Sequence, residues 1–366
     1  MPRAQSGTQR VSFDQTQSFR VSASVSRQRR ASRGTRALLR AVAISLPVLA
    51  LLLAVTAPAA AHEGAGRPLD RRIAPRILPG AVLSDHGISV TVPEPGGFVW
   101  GELKFPDGTW EELGVETSAQ GRVTVIGDGS ERAAVLKDRY EVAARGTDAA
   151  RLGAEIASST ASSRRNAECR DTFRNLYWWR TPDLEWRFNP SGTPDYLRDD
   201  DGGTVAVEDA LVRAQGNITA STNRCGRGDR VKALGALVGT TTRLPNVTRG
   251  GSCTGGDGRS VIQFGDLPSY SVAMTCVYGI RKGVAVEADI RINSVETRWA
   301  VDRTTCSGKE LLIEAALTHE FGHVYGLAHA STYRDPWLTM QPLIRACSSG
   351  PSTLGLGDML GLEKKY

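Results

Sequence analysis

Three of the chain's five histidines fall inside one eleven-residue window, His319-Glu320-Phe321-Gly322-His323-Val324-Tyr325-Gly326-Leu327-Ala328-His329. No other stretch restricts the local fold as much. The run before it, Leu311-Leu312-Ile313-Glu314-Ala315-Ala316-Leu317, is strongly helix-forming and Ser307 offers an N-cap, so a helix is predicted over Lys309–Tyr325. On such a helix His319 and His323 stand four residues apart and project from one face. Gly326 can take positive φ, turn the chain sharply and bring His329 back to the same place. Three convergent imidazoles hold one zinc ion and leave a fourth position for water, the layout of a catalytic rather than a structural site. Glu320 lands beside that position without being needed as a ligand, where a general base belongs. Helix-surface or satisfied core histidines are the bland alternative, and the correct offsets of the glycine and the third histidine argue against it. Phe321 and Tyr325 read as core.

The pattern His-Glu-x-x-His-x-x-Gly-x-x-His resembles that of the metzincin zinc peptidases. Met340, in Leu338-Thr339-Met340-Gln341-Pro342, resembles the methionine turn that underlies their zinc-bound imidazoles. Among metzincins the chain is most similar to the matrixins, the matrix-metalloproteinase-like catalytic domains. Val272–Tyr278 resembles their edge strand, Glu287–Asn293 with Glu296 and Trp299 the next strand and its tail, and Leu354–Leu362 with Tyr366 the C-terminal helix. The likeness spans about Cys169 to Tyr366. It implies an α+β, zincin-like catalytic domain, a twisted mixed sheet plus an active-site helix, holding one catalytic Zn2+ on His319, His323 and His329. It further implies that substrate backbone pairs along Val272, Ala273, Met274 and Thr275, and that Pro342, within 341–345, walls the pocket after the scissile bond.

The chain also departs from the matrixins. Ala330 follows the third histidine where they usually have Ser. Their His- and Asp-rich segment for structural zinc and calcium is not visible, so Ca2+ has no support. No Tyr sits two residues after Met340, unlike astacins and serralysins. No cysteine precedes Cys169, so a cysteine-switch propeptide is absent. Arg224-Cys225-Gly226 matches that switch in letters only, and Cys225 reads as a disulfide partner.

The net charge of +6 invites a nucleic-acid function, and its distribution removes the invitation. Nine of the 45 basic residues but one of the 39 acids lie in 1–61, leaving 36 basic against 38 acidic residues beyond. The basic Arg27–Arg40 stretch, the uncharged Ala41–Ala61 run and the small-residue Ala59-Ala60-Ala61 site read as an export signal. The expected location is therefore extracellular, with no stable membrane span after cleavage and an anchor if residues 41–61 are retained. All six cysteines, Cys169, Cys225, Cys253, Cys276, Cys306 and Cys347, lie beyond that signal and none forms a Cys-x-x-Cys pair, which points to disulfides. Fifteen pairings are open; sequence order suggests Cys169–Cys225, Cys253–Cys276 and Cys306–Cys347.

Four segments are expected: the export segment 1–61, a small β-rich domain 62–145, a linker 146–166 and the catalytic domain 167–366. Ile88–Val92, Phe98–Phe105 and Arg122–Ile126 read as short strands bounded by turn signals, a sandwich-like or barrel-like unit serving as propeptide, binding module or spacer. Residues 147–166, rich in Ala, Ser and Arg, read as a linker or a short solvated helix, and Arg164-Arg165 as a proteolytic nick site. Leu184–Phe188, Ser271–Tyr278 and Val284–Ile292 read as strands, Thr204–Gly216 as a helix, and Arg230–Gly239 as either. Asn217 and Asn246 head glycosylation acceptor triplets.

The expected activity is a secreted, monomeric zinc endopeptidase acting on protein or peptide through a zinc-bound water, with Glu320 as base. A secreted binding or cell-surface protein with a non-catalytic zinc fold is the alternative from another class. Hydrolysis of a non-protein amide is a third.

Overall fold

A computed structural model describes residues 10–13, 19–22, 70–73, 78–85, 88–104, 110–127, 169, 176–280, 283–330, 338–342 and 344–366. The linker 146–166, the cleavage site at 59–61 and the Arg164-Arg165 pair lie outside the described residues.

The strands are β1 (Arg10–Phe13), β2 (Phe19–Ser22), β3 (Asp70–Ile73), β4 (Val82–Asp85), β5 (Ile88–Thr91), β6 (Gly97–Lys104), β7 (Trp110–Thr117), β8 (Val123–Gly127), β9 (Asp183–Asn189), β10 (Leu234–Thr240), β11 (Ser260–Gly265), β12 (Ala273–Ile280), β13 (Val284–Asn293), β14 (Trp299–Ala300) and β15 (Leu311–Leu312). The helices are α1 (Val205–Thr219), α2 (Ile313–Val324) and α3 (Leu356–Lys365). The fold is α+β. A nine-stranded mixed sheet runs in the order β10-β9-β11-β13-β12-β6-β7-β8-β3. β10, β9, β11 and β13 pair in parallel. From β12 outward every pairing is antiparallel.

Alternation along the strands assigns two faces. Thr275 and Val277 of β12 turn toward the helices, while Met274, Cys276 and Tyr278 enter a second core. β6 divides the same way, with Phe98 and Trp100 in the main core and Val99 in the second. The main core lies between the sheet and α1 and α2, around the fully buried Trp179, Trp186, Phe264, Trp299 and Phe321. Of the adjacent pair Trp178-Trp179, only Trp178 is half-exposed.

α1 buries Val207, Ala210, Leu211, Ala214 and Ile218, one helical stripe, against α2. A polar link joins the two helices: Asn217 Nδ2 donates to Glu314 Oε1 at 3.0 Å and to Thr318 Oγ1 at 3.1 Å. α2 is buried on every side except at Glu314, so its position is fixed by packing rather than by propensity.

Three features differ from the sequence expectations. The sheet crosses the boundary expected between 62–145 and 167–366, because β6 pairs with β12. The second core is shared likewise: Val99, Leu113 and Val115 pack with Val247, Met274 and Tyr278. β12 is therefore internal, lying between β13 and β6, where an edge strand is expected. The helix that carries His319 and His323 begins at Ile313, not Lys309, and Ser307 is not its cap. Leu311 and Leu312 instead extend beside Trp299 and Ala300, an arrangement that buries both leucines.

The described residues contain the bridges Cys169–Cys225, Cys253–Cys276 and Cys306–Cys347, the pairing that sequence order suggests. Among the described residues no helix is long and apolar enough to cross a membrane.

Candidate metal centre

The site is built on the C-terminal half of α2 and the turn that follows. His319 and His323 stand one turn apart on that helix. Gly326, at φ 86°, reverses the chain as only a residue without a Cβ does readily. The turn is tied down by Gly326 N donating to His323 O and Leu327 N to Gly322 O, both at 2.9 Å. It returns His329 to its partners. The Nε2 atoms of His319, His323 and His329 lie 3.1 Å from one another. All three rings are buried.

Second contacts set the tautomers. His319 Nδ1 lies 2.8 Å from the carbonyl of Thr339, and His323 Nδ1 lies 3.0 Å from that of Leu327. A carbonyl only accepts, so each Nδ1 carries the proton and each Nε2 turns a lone pair inward. Two imidazoles thus turn an Nε2 lone pair inward, and the third brings its own Nε2 to 3.1 Å from both, an arrangement that can hold a metal ion. The donor set fits a divalent transition ion.

Met340 is fully buried beneath this arrangement, its Sδ filling the space where a Cβ at position 322 would stand. Its carbonyl accepts from Ala330 N at 2.7 Å, so the turn at 338–342 holds both the first histidine, through Thr339, and the residue after the third. Asp358 of α3 braces that turn: its Oδ2 accepts from Thr339 N at 2.9 Å and Gly355 N at 3.1 Å. Pro342 is half-buried at the end of the described turn.

Glu320 is 2% exposed, and Thr275 Oγ1 donates to its Oε2 at 2.5 Å. Sequence reasoning placed Thr275 here for its backbone; its hydroxyl is what reaches the carboxylate. Ala273 and Met274 are buried and Val272 half-buried, and Val272 O accepts from Asn293 N.

Two residues that the sequence did not single out complete the surroundings. Glu102 Oε1 of β6 lies 3.7 Å from His329 Nε2, and Glu112 Oε1 of β7 lies 3.6 Å from His329 Nδ1. Both carboxylates are buried. The Trp100 ring of β6 sits 5.3 Å from that of His323. Alternation on one sheet face puts Phe98, Trp100 and Glu102 together, but no local motif marks two acidic residues more than 200 positions from the histidines.

Compared with known proteins, the chain matches no family model, no curated protein and no solved structure.

Proposed function

We propose that the chain is a secreted zinc-dependent endopeptidase of the metzincin type. The observation that carries this reading is the convergence of His319, His323 and His329 beside an adjacent, hydroxyl-anchored carboxylate, Glu320. His319, His323 and His329 would hold the ion. Bound there, zinc would polarise a scissile carbonyl and bring the pKa of a water to about 7. Glu320 takes the proton of the attacking water and delivers it to the departing amine. Thr275 holds Oε2 of that carboxylate, which leaves Oε1 to handle the proton. The peptide is expected to lie extended beside β12, its backbone adding to the sheet. Three disulfides support an oxidising, extracellular setting.

A second reading is favoured by one observation, the complete burial of the triad and Glu320. It is the non-catalytic zinc fold of a binding or cell-surface protein, since a substrate would have no open route to residues buried this deeply. One experiment separates the two. Zinc content is measured on the full chain, and cleavage of casein and a quenched peptide library is assayed before and after proteolytic cutting within 146–166. The peptidase reading expects about one zinc per chain and cleavage that Glu320→Gln lowers at least a hundredfold. Equal rates for wild type and Glu320→Gln in both states leave the non-catalytic fold standing.

A further inference from the structure

One helix places His319 and His323, but His329 depends on the five residues that separate it from His323. A helix leaves its last carbonyls without partners of its own, and a chain that reverses there can settle in several ways unless those groups are held. Here every carbonyl from Phe321 to Leu327 meets a donor. The turn itself supplies three: Tyr325 N donates to Phe321 O, Leu327 N to Gly322 O and Gly326 N to His323 O, each at 2.9 Å. Nδ1 of His323 serves the carbonyl of Leu327. The three between, those of Val324, Tyr325 and Gly326, are met from other parts of the chain.

Resting on the part of the reading above in which the triad holds an ion, and not on cleavage, we infer that Trp179, Thr181 and Tyr366 are positioning residues of the metal centre: they lock the peptide planes of the turn and so set where the third imidazole stands.

Each plane has its own donor. Val324 O accepts from Thr181 Oγ1 at 2.7 Å and from Trp179 Nε1 at 3.3 Å. Tyr325 O accepts from the Tyr366 hydroxyl at 3.1 Å. Gly326 O accepts from Tyr177 N at 3.1 Å. The donors are themselves connected. Thr181 N donates to the Tyr366 hydroxyl at 2.6 Å, so one oxygen joins the approach to β9 with the end of α3. Lys365 Nζ donates to Tyr177 O at 2.7 Å. Burial holds the Tyr366 phenol above its ordinary range, so the hydroxyl stays protonated and keeps donating.

Packing grips the same point. A Cβ at position 326 would strike Lys365 Cε and the carbonyl of Trp179, so the turn is enclosed where it needs positive φ. Trp179 and Thr181 are fully buried. None of the three positioning residues donates to an imidazole; their polar atoms reach the backbone alone, and whatever they do to His329 passes through the turn. Groups that orient a metal ligand without touching the ion typically change affinity tenfold to a hundredfold when removed.

The test uses the full chain refolded with Co2+, whose visible band reports the ligand set, against a chelator allowed to reach equilibrium. Thr181→Val keeps the shape and removes the hydroxyl, Thr181→Ser keeps the hydroxyl, and Tyr366→Phe removes only an oxygen. Thr181→Val and Tyr366→Phe are each expected to lower the cobalt affinity of the folded protein at least tenfold and to shift the band at saturation. Thr181→Ser should bind as wild type does. Val261→Ala truncates a buried side chain of β11 that alternates with Ile262 and Phe264 of the main core, and so stands on the opposite face. It should unfold at lower urea concentration with affinity and band unchanged. Should one of the first two variants fail to fold by circular dichroism, the other carries the test. Wild-type affinity and band in Thr181→Val and Tyr366→Phe overturn the inference, as does an equal loss in Val261→Ala. Wild type that takes up no cobalt sinks the zinc reading and this role together, whereas unchanged binding by the variants sinks the role alone.

Discussion

At the scale of single residues, Thr275 shows how a side chain gains meaning only through the fold. Its hydroxyl donates to Glu320 Oε2 in a buried setting. A hydrogen bond to a charged group there is worth roughly 1.5–3 kcal/mol, and leaving the carboxylate without it costs more than the bond itself. Thr275→Val keeps the shape and removes the donor. It is expected to lower unfolding free energy by about 2 kcal/mol in urea titrations. On the proposed peptidase reading it should also reduce kcat of peptide cleavage about tenfold or more with KM little changed, because Glu320 would lose its orientation rather than its contact with substrate. The triad was legible because helical spacing and one glycine place His319, His323 and His329 by local rules. Glu102 and Glu112 were not, because their nearness to His329 comes from a sheet pairing that spans more than 170 residues of sequence.

Among elements, β13 is the instructive one. Its pattern Glu287-Ala288-Asp289-Ile290-Arg291-Ile292 reads as one apolar and one solvent-facing side, yet all six residues are buried. Backbone N–H groups satisfy the acids: Asn246 and Val261 donate to Asp289, and Asp257 and Gly258 to Glu287. Burial, reinforced by the neighbouring Glu287, holds Asp289 well above the usual carboxylate range. Alternation alone cannot tell a wet face from one roofed by a loop. α3 offers a titration of its own. Lys365 donates to Tyr177 O at 2.7 Å, and burial lowers its pKa to about 8. The folded state therefore binds fewer protons than the unfolded chain between about pH 8 and 10.5. The cost of burying the charge is full below pH 8 and relieved as pH rises through that window. Lys365→Met should accordingly be more stable than wild type at pH 7, by on the order of 3 kcal/mol from the size of the shift. That advantage should fade toward pH 10.5, as read by chemical denaturation at a series of pH values.

For the whole molecule, local pattern identified most elements but not their assembly. β5, β6, β8, β9, β12, β13 and α1 fall where periodicity and turn signals put them, and α3 lies where the family resemblance puts a helix. β7 and β11 carried too little contrast to stand out. The separate small domain was inferred from short strand runs and turn signals, which do not reveal the shared sheet because strand pairing partners are not written in either strand. The disulfides were legible as a framework through their number and setting. Cys306–Cys347 joins the approach to α2 with the segment after the Met340 turn, across 41 residues. Replacing both by Ala is expected to cost about 3–4 kcal/mol by loop-closure entropy. The loss should appear as a lower denaturation midpoint and, because the turn orients His319, as weaker zinc retention in competition with a chelator.

The sealed position of the three imidazoles also bears on timing. Rings that are at most 4% exposed leave an ion little open path, so the order of events during maturation would matter: a cation held there would arrive before the outer strands settle over it. Chain refolded with zinc present should retain the ion through dialysis, whereas chain refolded first and then given zinc should fill over hours, at the rate at which the strands lift. Equal loading in both orders, measured by elemental analysis against time, would show instead that the cover breathes freely. If loading does depend on order, the host compartment must provide the metal while the polypeptide is still being shaped, and the finished molecule would carry a cation committed once, at birth.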